Sequence, residues 1–240
     1  MIDPKATGAA LLLVALSLAA MAYGGGQTPA AQQMLSPFQR TKAEYLLRER
    51  LPCLGCHRLD GEGGVIGPDL SAVADRRSPE FIRRMIYDPQ TTLPGTIMPK
   101  TPMPDSWRDL IARYLAERRG AGGEVKDPVT AASPPSRPSG GRELYIRFCA
   151  PCHGASGGGD GPNARYLPVR PTVHADSAYM STRPDDTLFD GIYGGGYILN
   201  RSHRMPAFGS TLTREEIWSL VRYLRELCRC RGPAWSRDGR

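Results

Sequence analysis

The sequence Cys-x-x-Cys-His occurs twice, and each copy stands at the same place in a repeated arrangement. The first copy, CLGCH, is residues 53–57, and the second, CAPCH, is residues 149–153. In both segments a short stretch rich in Tyr, Leu and Arg precedes the motif. A glycine-rich loop, a Met-Pro pair and an amphipathic segment ending in Tyr-Leu follow it. This self-similarity predicts two units of about 90 residues built on one plan.

Two thiols at this spacing, with a histidine directly after the second, are the arrangement that attaches haem c covalently. The histidine is then placed beneath the porphyrin, where its imidazole binds iron. A zinc site would need further ligands, and the chain has only four histidines. A thioredoxin-like dithiol would need a βαβ context, which the sequence lacks. We therefore expect two covalently bound haem c groups. The predicted attachment residues are Cys53, Cys56 and His57 in the first unit and Cys149, Cys152 and His153 in the second.

A methionine is the expected second axial ligand, because a soft thioether sulfur favours ferrous iron. In the second unit Met205 is the candidate, and in the first unit Met98 and Met103 compete, each followed by proline. Met205 precedes Tyr223 of the closing segment by 18 residues. Met98 precedes the corresponding Tyr114 by 16 residues and Met103 precedes it by 11. The spacing favours Met98 as the ligand and Met103 as an apolar lid beside the haem.

The closing segments give the clearest helix predictions. Apolar residues recur at i, i+3, i+4, i+7 and i+8 in 106–119 and again in 213–227, which predicts one buried stripe on each helix. Thr213 and Glu216 have capping-box spacing and predict the start of the second. Shorter helices are predicted before each motif, over 41–51 and 142–148. Strands are poorly supported, because few β-branched residues alternate with polar ones.

The first residues predict export. Residues 6–23 carry no charge, which is the lower limit for a membrane-spanning helix and long for a signal peptide. Ala20-Met21-Ala22 fits a cleavage site, so a removable signal peptide stays open, but the weakly basic start favours an uncleaved anchor. Lys5 favours an N-terminus inside the cell. Either interpretation places the rest of the chain at the cytoplasmic membrane, on its periplasmic or extracellular side.

Composition shifts divide the rest of the chain, because two segments rich in Gly and Pro have almost no large apolar side chains. The net charge of +7 is carried by 27 Arg and four Lys, without the interleaved aromatic residues of a nucleic-acid-binding face, so no nucleic acid partner is expected. The predicted divisions are an anchor or signal peptide with its tether over 1–36, a first domain over 37–119, a linker over 120–139, and a second domain with a basic tail over 140–240.

Both units resemble class I cytochrome c domains. The resemblance rests on CAPCHGASGGGDGPNA at 149–164 and MPAFGSTLTREEIWSLVRYLREL at 205–227, and on CLGCHRLDGEGGVIGPDL at 53–70 with DPQTTLPGTIMP at 88–99. It implies an all-α fold of two tandem domains, each with crossing terminal helices and a haem in the cleft. It also implies that a proline carbonyl accepts a hydrogen bond from the ligand histidine. Pro68 fits that role, and Pro162 is the candidate in the second unit.

These features predict an electron-transfer protein rather than an enzyme, with no small-molecule substrate. It would pass single electrons in a respiratory or photosynthetic chain, as an anchored carrier or as a subunit of a complex. The expected partners are a quinol:cytochrome c oxidoreductase, a terminal oxidase or reductase, or a reaction centre. The alternative, a dihaem cytochrome c peroxidase, needs a displaceable ligand and acid–base residues. The spare histidines, His174 and His203, are predicted in loops, His203 being a minor alternative to Met205. Cys228 and Cys230 receive no function.

Overall fold

The computed structural model describes residues 34–128, 138 and 140–236. The predicted anchor or signal peptide over 6–23 lies outside these residues, and so does most of the predicted linker. Among the helices of the described part of the chain, none is both long and apolar enough to cross a membrane. Leu35–Arg240 forms one compact unit.

The first half of this unit is helical apart from one short ribbon. A π-helical turn, Leu46–Arg50, continues the first helix, and a 3₁₀ turn covers Val73–Asp75. Strands β1 (Arg58–Leu59) and β2 (Glu62–Gly63) pair antiparallel. The helices are α1 (Pro37–Tyr45), α2 (Cys53–Cys56), α3 (Pro79–Tyr87), α4 (Pro89–Thr92) and α5 (Asp105–Ala116).

The regular structure of the second half consists of helices among its described residues. Its helices are α6 (Gly141–Leu144), α7 (Ala150–His153), α8 (Ser177–Ser181), α9 (Asp185–Gly194) and α10 (Arg214–Cys228). A π-helical turn over Tyr145–Cys149 joins α6 to the second motif, as Leu46–Arg50 leads to the first. Three 3₁₀ turns complete it, at Ala164–Tyr166, Gly196–Leu199 and Ala234–Ser236.

The two closing helices are confirmed. Helix α5 begins one residue before the predicted segment and ends three residues earlier, and α10 covers the second segment to within one residue. Thr213 caps α10, and its hydroxyl accepts a hydrogen bond from the backbone of Glu216 while the Glu216 carboxylate accepts one from Thr213. The prediction for the first helix was wrong at its start. Ser36 and Gln39 form a capping box there, so α1 begins at Pro37 rather than at Thr41.

Two separate hydrophobic cores lie in the unit, the first built from side chains between Leu35 and Leu115 and the second from side chains between Leu144 and Cys228. Helix α5 packs on α1 and α3, and α10 packs on α6 and α9. The crossing of α6 and α10 is very close. A Cβ atom on Gly141 would lie 2.1 Å from the carbonyl oxygen of Ser219, so only glycine fits there.

The beginning of the predicted linker is not separate from the first core. Asp75 is buried, and its carboxylate accepts hydrogen bonds from the backbone N–H groups of Gly120 (2.7 Å) and Gly122 (3.3 Å). Asp127 accepts another from the backbone of Ser78 at 2.9 Å. Residues 120–127 therefore belong to the first half structurally. The division into two haem domains stays a prediction, supported by the two cores.

Candidate haem sites

The first motif places its cysteines on α2 and its histidine directly after that helix. Nδ1 of His57 lies 2.8 Å from the carbonyl oxygen of Pro68, which is the hydrogen bond that the resemblance implied. Because a carbonyl oxygen can only accept, Nδ1 carries the proton and Nε2 is the nitrogen left to bind iron. The backbone of Gly67 packs against the imidazole ring of His57. A Cβ atom on Gly67 would lie 2.4 Å from Cε1 of that ring. The backbone thus orients the predicted ligand.

The second motif has the same histidine arrangement with a different partner. Nδ1 of His153 lies 3.0 Å from the carbonyl oxygen of Thr172. The expectation for Pro162 was therefore wrong. Its loop folds back on α7 instead, where the backbone N–H of Asn163 donates to the carbonyl of Pro151. Pro162 is nine residues after His153. Thr172, whose carbonyl oxygen lies next to Nδ1 of His153, is 19 residues after it.

A second imidazole lies against His153. The rings of His153 and His174 are stacked, with centroids 4.1 Å apart and an angle of 12° between their planes. The hydroxyl of the buried Tyr145 is 3.0 Å from Nδ1 of His174 and holds that ring in place. Burial lowers the pKa values of both imidazoles, so both are neutral at neutral pH. His174 lies in a turn, as predicted, but its side chain packs beside the second site.

The thiols of both motifs fit covalent attachment to a porphyrin. Cys53, Cys56, Cys149 and Cys152 are all free, whereas Cys228 and Cys230 form a disulfide with each other. Burial raises the pKa of Cys53 to about 11 and those of Cys56 and Cys149 to about 12. Within the described residues no three His, Cys, Asp or Glu side chains cluster as a metal ion would require.

Met98 and Met205 are held alike by their backbones. The carbonyl oxygen of Met98 accepts a hydrogen bond from the Gln90 side chain at 2.8 Å, and that of Met205 accepts one from Gly196 N–H at 3.1 Å. Both side chains are half-buried. Met103 packs against the first core together with Cys53, which suits the apolar lid predicted for it. Met98 and Met205 remain predicted iron ligands.

Arg204, directly before Met205, provides a further test of the fit. Its side chain is only 6% exposed, and Nη2 donates to a carboxylate oxygen of Glu62 at 2.6 Å. Nε and Nη1 are buried and have no hydrogen-bond partner among the described residues. Buried guanidinium donors of this kind suit a carboxylate. The propionate groups of haem are carboxylates, so the residues around both motifs fit haem c.

The other spare histidine is engaged elsewhere. Nε2 of His203 donates a hydrogen bond to the backbone carbonyl of Arg48 at 2.9 Å, so it is directed toward the first half of the unit. This contact argues against His203 as the ligand in place of Met205. His174 lies on the side of the predicted proximal ligand. Neither histidine is therefore placed as the distal acid–base group that a peroxidase needs.

Comparison with known proteins agrees with this geometry in the second half. Residues 136–224 match the family model described as cytochrome C oxidase, cbb3-type, subunit III. This match supports a c-type cytochrome domain in that stretch. Such a domain binds haem c covalently and transfers electrons. The matched stretch contains the second motif, Thr172, His174 and Met205. The match covers less than half of the chain.

The other comparisons give no further indication of fold or function. No curated protein matches the chain. A chain of the Kuenenia stuttgartiensis reducing HAO-like protein complex is similar over 80% of this chain and 96% of its own length, with 19% sequence identity and a TM-score of 0.31. That TM-score is too low to indicate a common fold.

Proposed function

We propose that the chain is a dihaem c-type cytochrome that passes single electrons at the outer face of the cytoplasmic membrane. It would serve a respiratory or photosynthetic chain, between a quinol-oxidising complex and a terminal acceptor, as an anchored carrier or as a subunit of a complex. The observation that carries the proposal is the parallel between the two motifs. In both, two free thiols precede a histidine whose Nδ1 is bound to a backbone carbonyl.

Corresponding residues would have the same roles at both sites. The cysteines of each motif would hold one haem, which supplies a one-electron iron couple. His57 and His153 would bind iron through Nε2, with Met98 and Met205 as the second ligands. The carbonyl oxygens behind the imidazoles fix ring orientation and increase ligand basicity. With two protein ligands at each iron, no position is left for a substrate, which favours electron transfer over catalysis.

The membrane position and the partners follow from the sequence. Uncharged residues 6–23 would anchor the chain with its helical unit outside. The partners would be redox proteins at the membrane, such as a quinol:cytochrome c oxidoreductase, a terminal oxidase or reductase, or a reaction centre. Copurification of the native protein with membrane subunits tests this part, and recovery from the soluble fraction alone would contradict it.

The haem number is tested by the mass of the native protein and by its optical and EPR spectra. We expect two haem c groups per chain and two low-spin signals. The double variant Cys53→Ala/Cys56→Ala should retain one haem, attached at the second motif. As the matched control, Cys228→Ala/Cys230→Ala removes two cysteines outside the motifs and should retain both. A native protein with one haem or none, or a high-spin signal at rest, would contradict the proposal.

A further inference from the structure

Asn163 connects the two attachment motifs directly. Its side chain is fully buried. Nδ2 donates one hydrogen bond to the carbonyl oxygen of Gly55, in the first motif, at 2.8 Å. The same nitrogen donates a second, at 3.3 Å, to Sγ of Cys152, in the second motif. Oδ1 accepts a third from the backbone N–H of Val65 at 2.8 Å. One amide group therefore contacts both motifs.

The backbones at this junction approach too closely for other side chains. A Cβ on Gly55 would lie 2.1 Å from the carbonyl oxygen of Arg204, and a Cβ on Gly64 would lie 2.6 Å from Oδ1 of Asn163. The first motif is thus in contact with the Arg204 loop, and the loop that follows the first motif is in contact with Asn163.

Further contacts between the halves surround Asn163. They join residues near the first motif and in the Met98 loop to residues of the second half. None of these contacts joins the two motifs to each other. They are Arg204–Glu62, His203–Arg48, Thr211–Lys100 and Arg147–Gly95. A buried amide whose two donors and one acceptor are all used has one low-energy orientation, because turning it would leave buried polar groups unpaired.

We propose that Asn163 is a positioning residue that fixes the two attachment motifs at one separation, and that its Nδ2 group is the connection through which electrons pass between them. The inference rests on the proposed function, since it requires a haem at each motif. With haem c attached at both motifs, one electron would pass from the ferrous iron of one haem to the ferric iron of the other. No covalent bond breaks and no proton moves. A redox protein partner supplies the electron from outside.

Few bonds separate the cysteine sulfur atoms of the two motifs along this connection. On one side lies Sγ of Cys152, the atom that would form the thioether bond to the second haem. On the other side, the Gly55 carbonyl belongs to the peptide unit shared with Cys56, whose sulfur would hold the first haem. The route from one sulfur to the other thus crosses two hydrogen bonds that meet at a single nitrogen atom. In the described part of the chain no other side chain is hydrogen-bonded to both motifs.

The test uses the full-length protein with both haems attached. A photoreductant injects one electron into the oxidised protein, and the exchange between the haems is followed optically. In the native protein its rate should be independent of protein concentration, since the exchange is within one chain. Asn163→Leu, which removes all three hydrogen bonds, and Asn163→Asp, which removes both donors, should slow it severalfold, because electron transfer weakens as the two haems move apart or lose their hydrogen-bonded connection.

Thr211→Val is the matched control. It removes a hydrogen bond between the halves, the 2.9 Å contact with Lys100 N–H, but leaves both motifs untouched, and it should leave the exchange rate unchanged. An Asn163→Leu protein that keeps two haems and exchanges at the native rate would overturn the inference. So would a native rate that rises with protein concentration, a result that does not depend on any variant folding. A single haem by mass would instead contradict the proposed function.

Discussion

The ring of His174 lies parallel to that of His153 at a centroid distance of 4.1 Å, whereas the ring of His57 lies against Gly67. Two motifs with the same sequence plan therefore have different surroundings on the side of the predicted proximal ligand. The stacked imidazole, held by Tyr145, excludes water from one face of His153. The environment of an axial ligand is one of the features by which a protein sets the reduction potential of a haem.

We expect His174→Ala to lower the reduction potential of the second haem and to leave that of the first unchanged. Water admitted beside His153 would stabilise the more positively charged ferric state. The shift should be some tens of millivolts, where about 59 mV corresponds to a tenfold change for one electron. An optical potentiometric titration measures both potentials. His174→Phe keeps a stacked ring and should shift the potential less. Equal shifts of both haems would contradict the assignment.

Single replacements should identify the methionine ligand of the first site. Met98→Leu should abolish the methionine-to-iron absorption band of one haem, because leucine offers no sulfur. Met103→Leu should retain that band, since Met103 packs with the first core and a Met-to-Leu exchange nearly conserves volume. The near-infrared spectrum of the oxidised protein measures the band. Loss of the band in Met103→Leu alone would reverse the assignment.

Gly141→Ala should destabilise the protein by about 1–3 kcal/mol, the usual cost of inserting an atom where packing is tight. The added Cβ would lie 2.1 Å from the carbonyl oxygen of Ser219 and would push α6 away from α10. Gly140→Ala is the control, because a Cβ there meets nothing within 4 Å. The free energy of unfolding from denaturant titration measures both. Equal effects of the two substitutions would rule out the close crossing as the cause.

Stability should fall at high pH through Tyr114. Burial and the hydrogen bond to Glu44 at 3.0 Å raise the pKa of this phenol from 10.0 to about 12. Between these values the unfolded chain loses the phenol proton while the folded protein keeps it, so the free energy of unfolding decreases as pH rises. Below pH 10 this contribution is fully present.

The comparison between native protein and Tyr114→Phe checks this contribution. The variant should lose about 0.5–1.5 kcal/mol at neutral pH, the net value of one hydrogen bond. It should also show a shallower decline above pH 10. The slope should not vanish, because burial also raises the pKa of Tyr145. Denaturant titrations between pH 8 and pH 11.5 measure both slopes. Identical slopes would show that Tyr114 ionises equally in the folded and unfolded states.

Local patterns in the sequence predicted the closing helices well. An apolar stripe and a capping box lie within a few turns of one helix, so α5 and α10 could be placed to within three residues. The hydrogen bond from His57 to Pro68 was anticipated from the resemblance to class I cytochrome c domains rather than from a local pattern. The start of α1 was missed although Ser36 and Gln39 have capping-box spacing, because no apolar stripe marks that helix.

Long-range contacts could not be predicted in this way. Thr172 reaches His153 across 19 residues of irregular loop, and its carbonyl group carries no signal in the side-chain sequence. Asn163 lies in a glycine-rich loop that looks like any other turn, and its partner Gly55 is 108 residues away. The contacts of residues 120–127 with the first core could not be predicted either, because the buried carboxylate of Asp75 binds the backbone of a segment whose composition is that of a linker.

The junction of the two motifs has a consequence for how the chain matures. Thioether formation needs thiols that are reachable and reactive, and those of Cys53, Cys56 and Cys149 are half-buried, with pKa values that burial raises above the ordinary value of a thiol. In apoprotein whose halves have already closed, these thiols would be less accessible to a ligation enzyme. We expect porphyrin to be joined before the halves close, so apoprotein folded first should ligate haem poorly when haem is supplied afterwards.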